Sequence, residues 1–382
     1  MKGKVWTAGF FAIVMIPLVM VGKWVYDIDP FFHYRKPDTS RYYYDLNSQR
    51  FQNDGISKYF DYDALITGTS MTENFKASEL DEIFGVYSVK VTYSGASYKE
   101  INDNLRTALR YHPDLKIIVR ALDMSMFFSR SDKMSDSPDM YPTYLYDENP
   151  WNDVKYLWNK SVIFERVYPM MQAVDEEGFV PGIRSFDEYS NWQEGAEFGL
   201  HAVCPEGITE SRPGEFTHLS EEDKAVIQEN ITQNVTSLAK EYPEVTFYYF
   251  FPPYSAVWWN TEIASGNVYR QVEAEQYIIE LILSCDNIRL YSFNDKTEIT
   301  TNLNHYTDVV HYGEWINSKI LRWMQRGEGL LTKENYEAYL AWELDFYTSY
   351  DYESLNEQED YEDDLEAAVL VGVDYERKAE AD

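Results

Sequence analysis

The sequence predicts an α/β domain built on a parallel central sheet with helices on both faces, carried on one N-terminal membrane-spanning helix. Three observations lead there. Five short apolar runs alternate with helix-length segments between residues 63 and 327. A charge-free apolar run, residues 5–22, precedes them. The chain has 382 residues, enough for one large domain or two small ones.

The N-terminal run reads VWTAGFFAIVMIPLVMVG, close to the length that spans a bilayer. Lys2 and Lys4 precede it, so the positive-inside bias keeps the N-terminus in the cytoplasm and exports the rest. The run is long for a signal-peptide core, and no clear A-x-A site follows it. Residues 1–24 are therefore expected to be an uncleaved single-pass anchor in the cell membrane, with the domain on the extracytoplasmic side. Residues 25–62 are aromatic and polar without a sustained period. They are expected to form a juxtamembrane stretch packed on the domain.

From residue 63 the strands read DALITGT, VYSVKVTYSG, LKIIVRALD, VTFYYFFPP and NIRLYSF. Between them, ASELDEIFG is helical and ends at Gly85, and YKEINDNLRTALRYHP is an amphipathic helix stopped by Pro113. Further helices are expected at 220–241, 268–284 and 313–326. Strands alternating with helices argue for a parallel sheet, whose ligands bind at the carboxyl ends of the strands. Residues 124–219 form an irregular insertion rich in aromatics. An acidic tail occupies 328–382. Its residues 343–382 hold 15 acidic side chains against Arg377 and Lys378, which predicts a solvated, mostly disordered segment.

A formal charge of −32 argues against a nucleic-acid backbone as partner. Cys204 and Cys285 make no metal-ligand spacing, and the sequence leaves their pairing open.

Three short stretches carry candidate chemistry. Ser70, in LITGTSMTEN, follows the first strand at a helix-like N-terminus. Free N–H groups and a positive dipole end there suit an oxyanion forming beside the serine, although serine is also a favoured N-cap. Gly95, in YSGAS, ends the second strand and can bring a backbone N–H close to a substrate. Asp308 and His311, in DVVHYG, are three apart, a spacing that lets one tight turn set the carboxylate on the imidazole. A serine hydroxyl needs such a base.

Taken together, these stretches resemble the SGNH, or GDSL-like, hydrolase superfamily over roughly residues 63–327. Its first block is GTSMTEN here, with Thr69 where Asp is usual. Its glycine block is YSGAS, and its Asp-x-x-His block is DVVH. The resemblance implies a flavodoxin-like three-layer sandwich, with Ser70 as nucleophile, His311 as general base and Asp308 as its orienter. The Ser70 and Gly95 N–H groups would stabilise the oxyanion. The family's third block carries a glycine and an asparagine, but this chain has RALDMSMFF there, with Asp123 and no matching asparagine. Asn74 could donate in its place. Asp123 is expected to be structural or to bind a substrate hydroxyl. No metal or organic cofactor is implied.

An anchor on such a domain is similar to the DltD-type proteins and polysaccharide O-acetyltransferase partners of Gram-positive envelopes. That similarity implies serine-ester acyl transfer or ester hydrolysis on a cell-wall or exopolysaccharide glycan, beside a membrane-bound acyltransferase. Aromatics of the insertion, Phe127, Phe128, Tyr141, Tyr144, Tyr146, Trp151 and Trp192, would form the acceptor groove, with Tyr144 and Trp192 as its expected binding residues. The alternative is a non-catalytic envelope protein that uses the same fold to bind glycan or to scaffold an acyltransferase.

Overall fold

A computed structural model describes residues 2–134, 141–210 and 213–360 of the chain. The expectation of a disordered tail over 361–382 lies outside the described residues. The chain divides into two compact units. The first comprises Met1–Asp61, Asn104–Pro113 and Ser135–Tyr189, the second Tyr62–Asp103, Asp114–Met134 and Ser190–Asp382.

In the first unit, helix α1 (Lys2–Ile28) runs beyond the charge-free segment and includes Pro17. Its Gly9–Ile28 portion is, among the described residues, the one helix long and apolar enough to cross a membrane. The chain then turns at Asp29, which takes φ 50°. The Asp29 carboxylate stabilises this turn by accepting from the N–H groups of His33, Tyr34 and Arg35 and from the Tyr156 hydroxyl. Residues 25–62 hold a helix that the sequence reading did not resolve, α2 (Gln49–Tyr59). A β-carbon at Gly55 would collide with the carbonyls of Phe31 and Phe32, so a glycine lets α2 approach that backbone. Phe31, Phe32, Tyr44, Leu46 and Ile56 are buried here. A two-residue parallel pairing joins Tyr43–Tyr44 to Gly182–Ile183.

The second unit holds a five-stranded sheet: β1 (Ala64–Gly68), β2 (Ser88–Thr92), β3 (Ile117–Ala121), β4 (Thr246–Phe251) and β5 (Ile288–Ser292). The order is β2-β1-β3-β4-β5, and every pairing is parallel. The strands are buried almost throughout, as a sheet covered on both faces requires. Parallel neighbours need crossover connections, here supplied by helices. From β1 the chain steps out to β2 and then returns past β1 to β3. Right-handed crossovers in opposite directions place α3 (Ala77–Phe84) and the helix α4 (Tyr98–Tyr111) on opposite faces. The reversal falls between β1 and β3, where such sheets open a ligand crevice. Arg120 on β3 is fully buried; its guanidinium donates to the Asn234 and Tyr98 carbonyls and lies over the Tyr98 and Tyr249 rings.

Helices α5 (Glu221–Ile231), α6 (Val268–Ile282) and α7 (Glu314–Arg326) lie close to their expected positions. The region after 328 is different from the expectation. Residues 336–349 form a helix, α8, whose Leu340, Glu343 and Tyr347 are buried, and Tyr352 and Leu355 follow them into the interior. Acidic composition hid a periodic set of buried positions. Trp259 stacks on Tyr347 at 4.4 Å, and Asn356 exchanges hydrogen bonds with the Ile208 backbone, so the ordered chain reaches at least residue 360. The insertion is also not one body: Ser135–Tyr189 belongs to the first unit, and residues 190–219 to the second. Both cysteines are free thiols.

Candidate active site

Gly68 closes β1 at φ 144°, and a β-carbon there would come within 2.7 Å of the Thr72 hydroxyl oxygen. Glycine is what allows the chain to turn this sharply and place Ser70 at the head of a single 3-10 turn, Ser70–Thr72. The Thr72 hydroxyl donates to the Thr69 carbonyl. Below the turn, the ammonium of Lys90, fully buried on β2, donates to the carbonyls of Glu73 and Phe75. Asn317 on α7 donates to the Met71 carbonyl at 3.2 Å. The segment that carries Ser70 is thus held from several sides.

Asp308 and His311 sit on a tight turn closed by a Tyr306–Tyr312 bridge, with Thr307 N–H donating to the His311 carbonyl. Ser255 pins the turn by donating to the Val309 carbonyl from both its N–H and its hydroxyl. One Asp308 oxygen accepts from the Val310 and His311 N–H groups, both at 2.8 Å, and the other lies 2.6 Å from His311 Nδ1. His311 Nε2 lies 2.7 Å from Ser70 Oγ. The carboxylate therefore fixes the tautomer that leaves Nε2 free to accept the serine proton.

Burial pushes the Asp308 carboxyl up, but the His311 hydrogen bonds and the Val310 N–H outweigh it and leave its pKa below the usual range. Burial lowers the His311 pKa, yet the Asp308 hydrogen bond and charge, then Asp123 and Glu73, raise it on balance above 6.5. The side chains of His311 and Asp308 are 26% and 48% exposed, so this pair lies at a rim that a substrate can reach.

The expected oxyanion donors Gly95 and Asn74 have different surroundings. Gly95 is exposed at φ 62°, with open space where a β-carbon would stand. Asn74 is buried, and its Oδ1 accepts from the Trp192 N–H at 3.0 Å. That bond identifies Nδ2 as the free end of the amide, and Nδ2 has no partner among the described residues. A buried donor left unpaired costs about 1–3 kcal/mol, a cost that an accepting group at Nδ2 would remove.

Asp123 follows β3, directly across the switch point from Thr69. Its two oxygens accept from the Thr69 hydroxyl at 2.8 Å and the Tyr254 hydroxyl at 3.2 Å, and the Tyr98 hydroxyl donates to its carbonyl. Burial pushes its pKa up, against these hydrogen bonds. Of the two roles expected for Asp123, the structural one describes these contacts: it is 5% exposed and occupied by protein hydroxyls, not open to a substrate hydroxyl. Thr69 and Asp123, the two departures from the resembled motifs, make one hydrogen-bonded pair.

Trp192 lies against Ser70 and His311. Its indole N–H donates to the Ser70 carbonyl at 3.4 Å, and its ring meets the His311 ring edge-on at 5.6 Å. Neighbouring residues hold it there. Asn191 donates to Glu314, Gln193 accepts from the Glu314 N–H, and Lys76 pairs with the same carboxylate. Tyr144, by contrast, belongs to the first unit, where it is half-buried. Sequence reasoning did not single out Tyr254, Lys90 or Ser255. Only an apolar strand end with a hydroxyl-bearing residue just beyond it signalled two of them, and nothing local signalled the lysine.

Comparison of the chain with protein-family models, with curated proteins and with solved structures gave no match.

Proposed function

We propose that the chain is a membrane-anchored serine esterase or O-acyltransferase of SGNH type. The observation that carries the reading is the continuous Ser70–His311–Asp308 hydrogen-bond relay, at 2.7 and 2.6 Å. Its placement at the switch point of a parallel sheet supports the same reading. In the first half-reaction the Ser70 hydroxyl gives its proton to His311 Nε2 as its oxygen attacks an ester carbonyl. The oxyanion takes hydrogen bonds from the Ser70 and Gly95 N–H groups and from Asn74 Nδ2. Collapse expels the alcohol, which takes the proton from His311 and leaves an acyl-serine. In the second, His311 removes a proton from water or an acceptor hydroxyl, which attacks the acyl group and frees Ser70.

The acceptor class, a hydroxyl of an envelope polysaccharide, and a membrane-bound acyltransferase as partner rest on the resemblance to DltD-type proteins. Extracytoplasmic exposure rests on Lys2 and Lys4. The test is a fluorophosphonate probe applied to the full chain in membranes. Wild type should be labelled and Ser70→Ala should not. Absence of labelling in a folded wild type would favour the non-catalytic reading, a glycan-binding or scaffolding protein.

A further inference from the structure

Helix α1 carries no charge from Val5 to Gly22, and Lys23 is the first charge after that run. In the same unit a second segment lies along the end of this run. The Trp158 indole N–H donates to the Leu18 carbonyl at 2.9 Å. A β-carbon on Gly22 would come within 2.9 Å of the Trp158 ring, so Gly22 is the notch that admits the indole. At 1.5 Å per residue, Leu18 sits roughly 7 Å along the helix axis from Lys23, toward the apolar side. Wherever α1 crosses a bilayer, the Trp158 ring must then lie inside the first charge, in the zone that tryptophan favours.

The flanking residues divide cleanly. Tyr156, Val162 and Val167 are buried, and Tyr156 and Asp153 bond to the turn at Asp29–Tyr34. On the other side Trp151 is 87% exposed, Phe164 61% and Tyr168 52%. Phe164 and Tyr168 are four apart in a helical stretch and share one face with Lys160. Lys155 and Lys160, both exposed, flank Trp158. Large rings left in water cost free energy, whereas rings with lysines beside them suit the headgroup–acyl boundary, where lysine stems reach lipid phosphates.

We propose that residues 151–168 are a second membrane contact, with Trp151, Trp158, Phe164 and Tyr168 seated in the lipid interface and Lys155 and Lys160 on lipid phosphates. The contact continues the surface of α1 and rests on the reading of α1 as a spanning helix. Asp153 and Tyr156 tie it to the turn that follows the anchor, so the first unit meets the bilayer at two rigidly joined points rather than through one swinging helix.

The experiment reconstitutes the full chain, with Cys204 and Cys285 replaced by serine, in vesicles of phosphatidylcholine and phosphatidylglycerol. Nitroxide labels at Ile13→Cys, Trp151→Cys and Phe164→Cys are read by collision with oxygen and with a water-soluble nickel chelate, using spin-labelled lipids as the depth scale. Position 13 should report the acyl core. Positions 151 and 164 should report the headgroup–acyl boundary, with nickel access several-fold below that of a label in water. Water-like access at 151 and 164, with position 13 in the core, would overturn the second contact and leave the anchor intact. Water-like access at position 13 would remove the anchor and this contact together. Shielding at 151 and 164 in native membranes but not in pure lipid vesicles would also overturn the proposal, assigning the face to a membrane-protein partner.

Discussion

Asp308 at the rim and the Glu275–Glu343 pair under α8 are carboxyl groups of one unit that respond to their surroundings in opposite ways. Asp308 faces an imidazole and two backbone N–H groups, and its pKa falls despite partial burial. Glu275 on α6 and Glu343 on α8 are fully buried and face each other. Glu343 receives one hydrogen bond from Asn294 at 2.8 Å and one from Tyr339 at 3.3 Å. Both Glu275 oxygens and the second Glu343 oxygen have no donor among the described residues. Burial and the facing carboxylate raise Glu275 well above its ordinary value, and burial lifts Glu343 to about 7. Depth and partners set the charge together: hydrogen-bond donors at the rim outweigh partial burial and keep a carboxylate ionised, whereas full burial in a donor-poor interior asks for a proton. A proton shared by the two glutamates supplies one missing donor.

The largest expected effect sharpens the rim side. Ser70→Ala and His311→Ala should each lower ester turnover on the order of 10⁴-fold or more, with Asp308→Asn costing no more than His311→Ala, because the three act as a unit. The base works only when neutral, so kcat/KM of the wild type should rise with pH through a limb above 6.5, and Asp308→Asn should move that limb down. A His311→Ala enzyme with near wild-type turnover would dismantle the relay.

The next effect tests the interior side. The folded-state pKa values of the glutamates are raised, so their contribution is complete below about 4.5 and is lost as pH rises through 7. Melting followed from pH 5 to about pH 8 should show the wild type losing stability, on the order of 1–3 kcal/mol, that Glu275→Gln or Glu343→Gln retains in part. Tyr339, raised by burial and then by the same two glutamates, stays protonated over this window, while Asp295, raised by burial against the charge of Lys296, adds in the same sense. Parallel curves for wild type and both glutamine variants would show that the pair carries no proton.

The smallest effect concerns Trp192. Trp192→Phe keeps a ring edge for His311 and removes one 3.4 Å hydrogen bond to Ser70, about 1 kcal/mol or roughly fivefold in kcat. Hydrolysis and transfer should fall together, because the residue touches the triad. A loss confined to transfer would return Trp192 to the acceptor groove that the sequence suggested.

Local pattern explains what could be read early. Strand and helix periods are written in neighbouring residues, so all five strands and the helices α1 and α3 to α7 were legible. The three candidate stretches were legible too, since two lie where a strand hands over to a turn and the third lies just before helix α7. Tail helix α8 was missed because carboxylates outnumber its buried positions Leu340 and Tyr347, and α2 because Gly55 and its polar neighbours mimic a loop.

By itself the sequence determined the alternating strand order along the chain, the apolar N-terminal run, the turn that sets Asp308 on His311 and the serine behind a glycine. Tertiary structure alone decided that Ser70 and His311, 241 positions apart, share a hydrogen bond. It also decided that Asp123 is tied to Thr69 and Tyr254, that Trp192 stands at the imidazole, that Trp158 reaches Leu18 and that two glutamates face each other in the interior. The physical reason is one of range. Dihedral preference and hydrophobic period act over a few residues. Distant side chains meet only when sheet register and close packing bring their strands and loops together, and no local preference encodes that meeting.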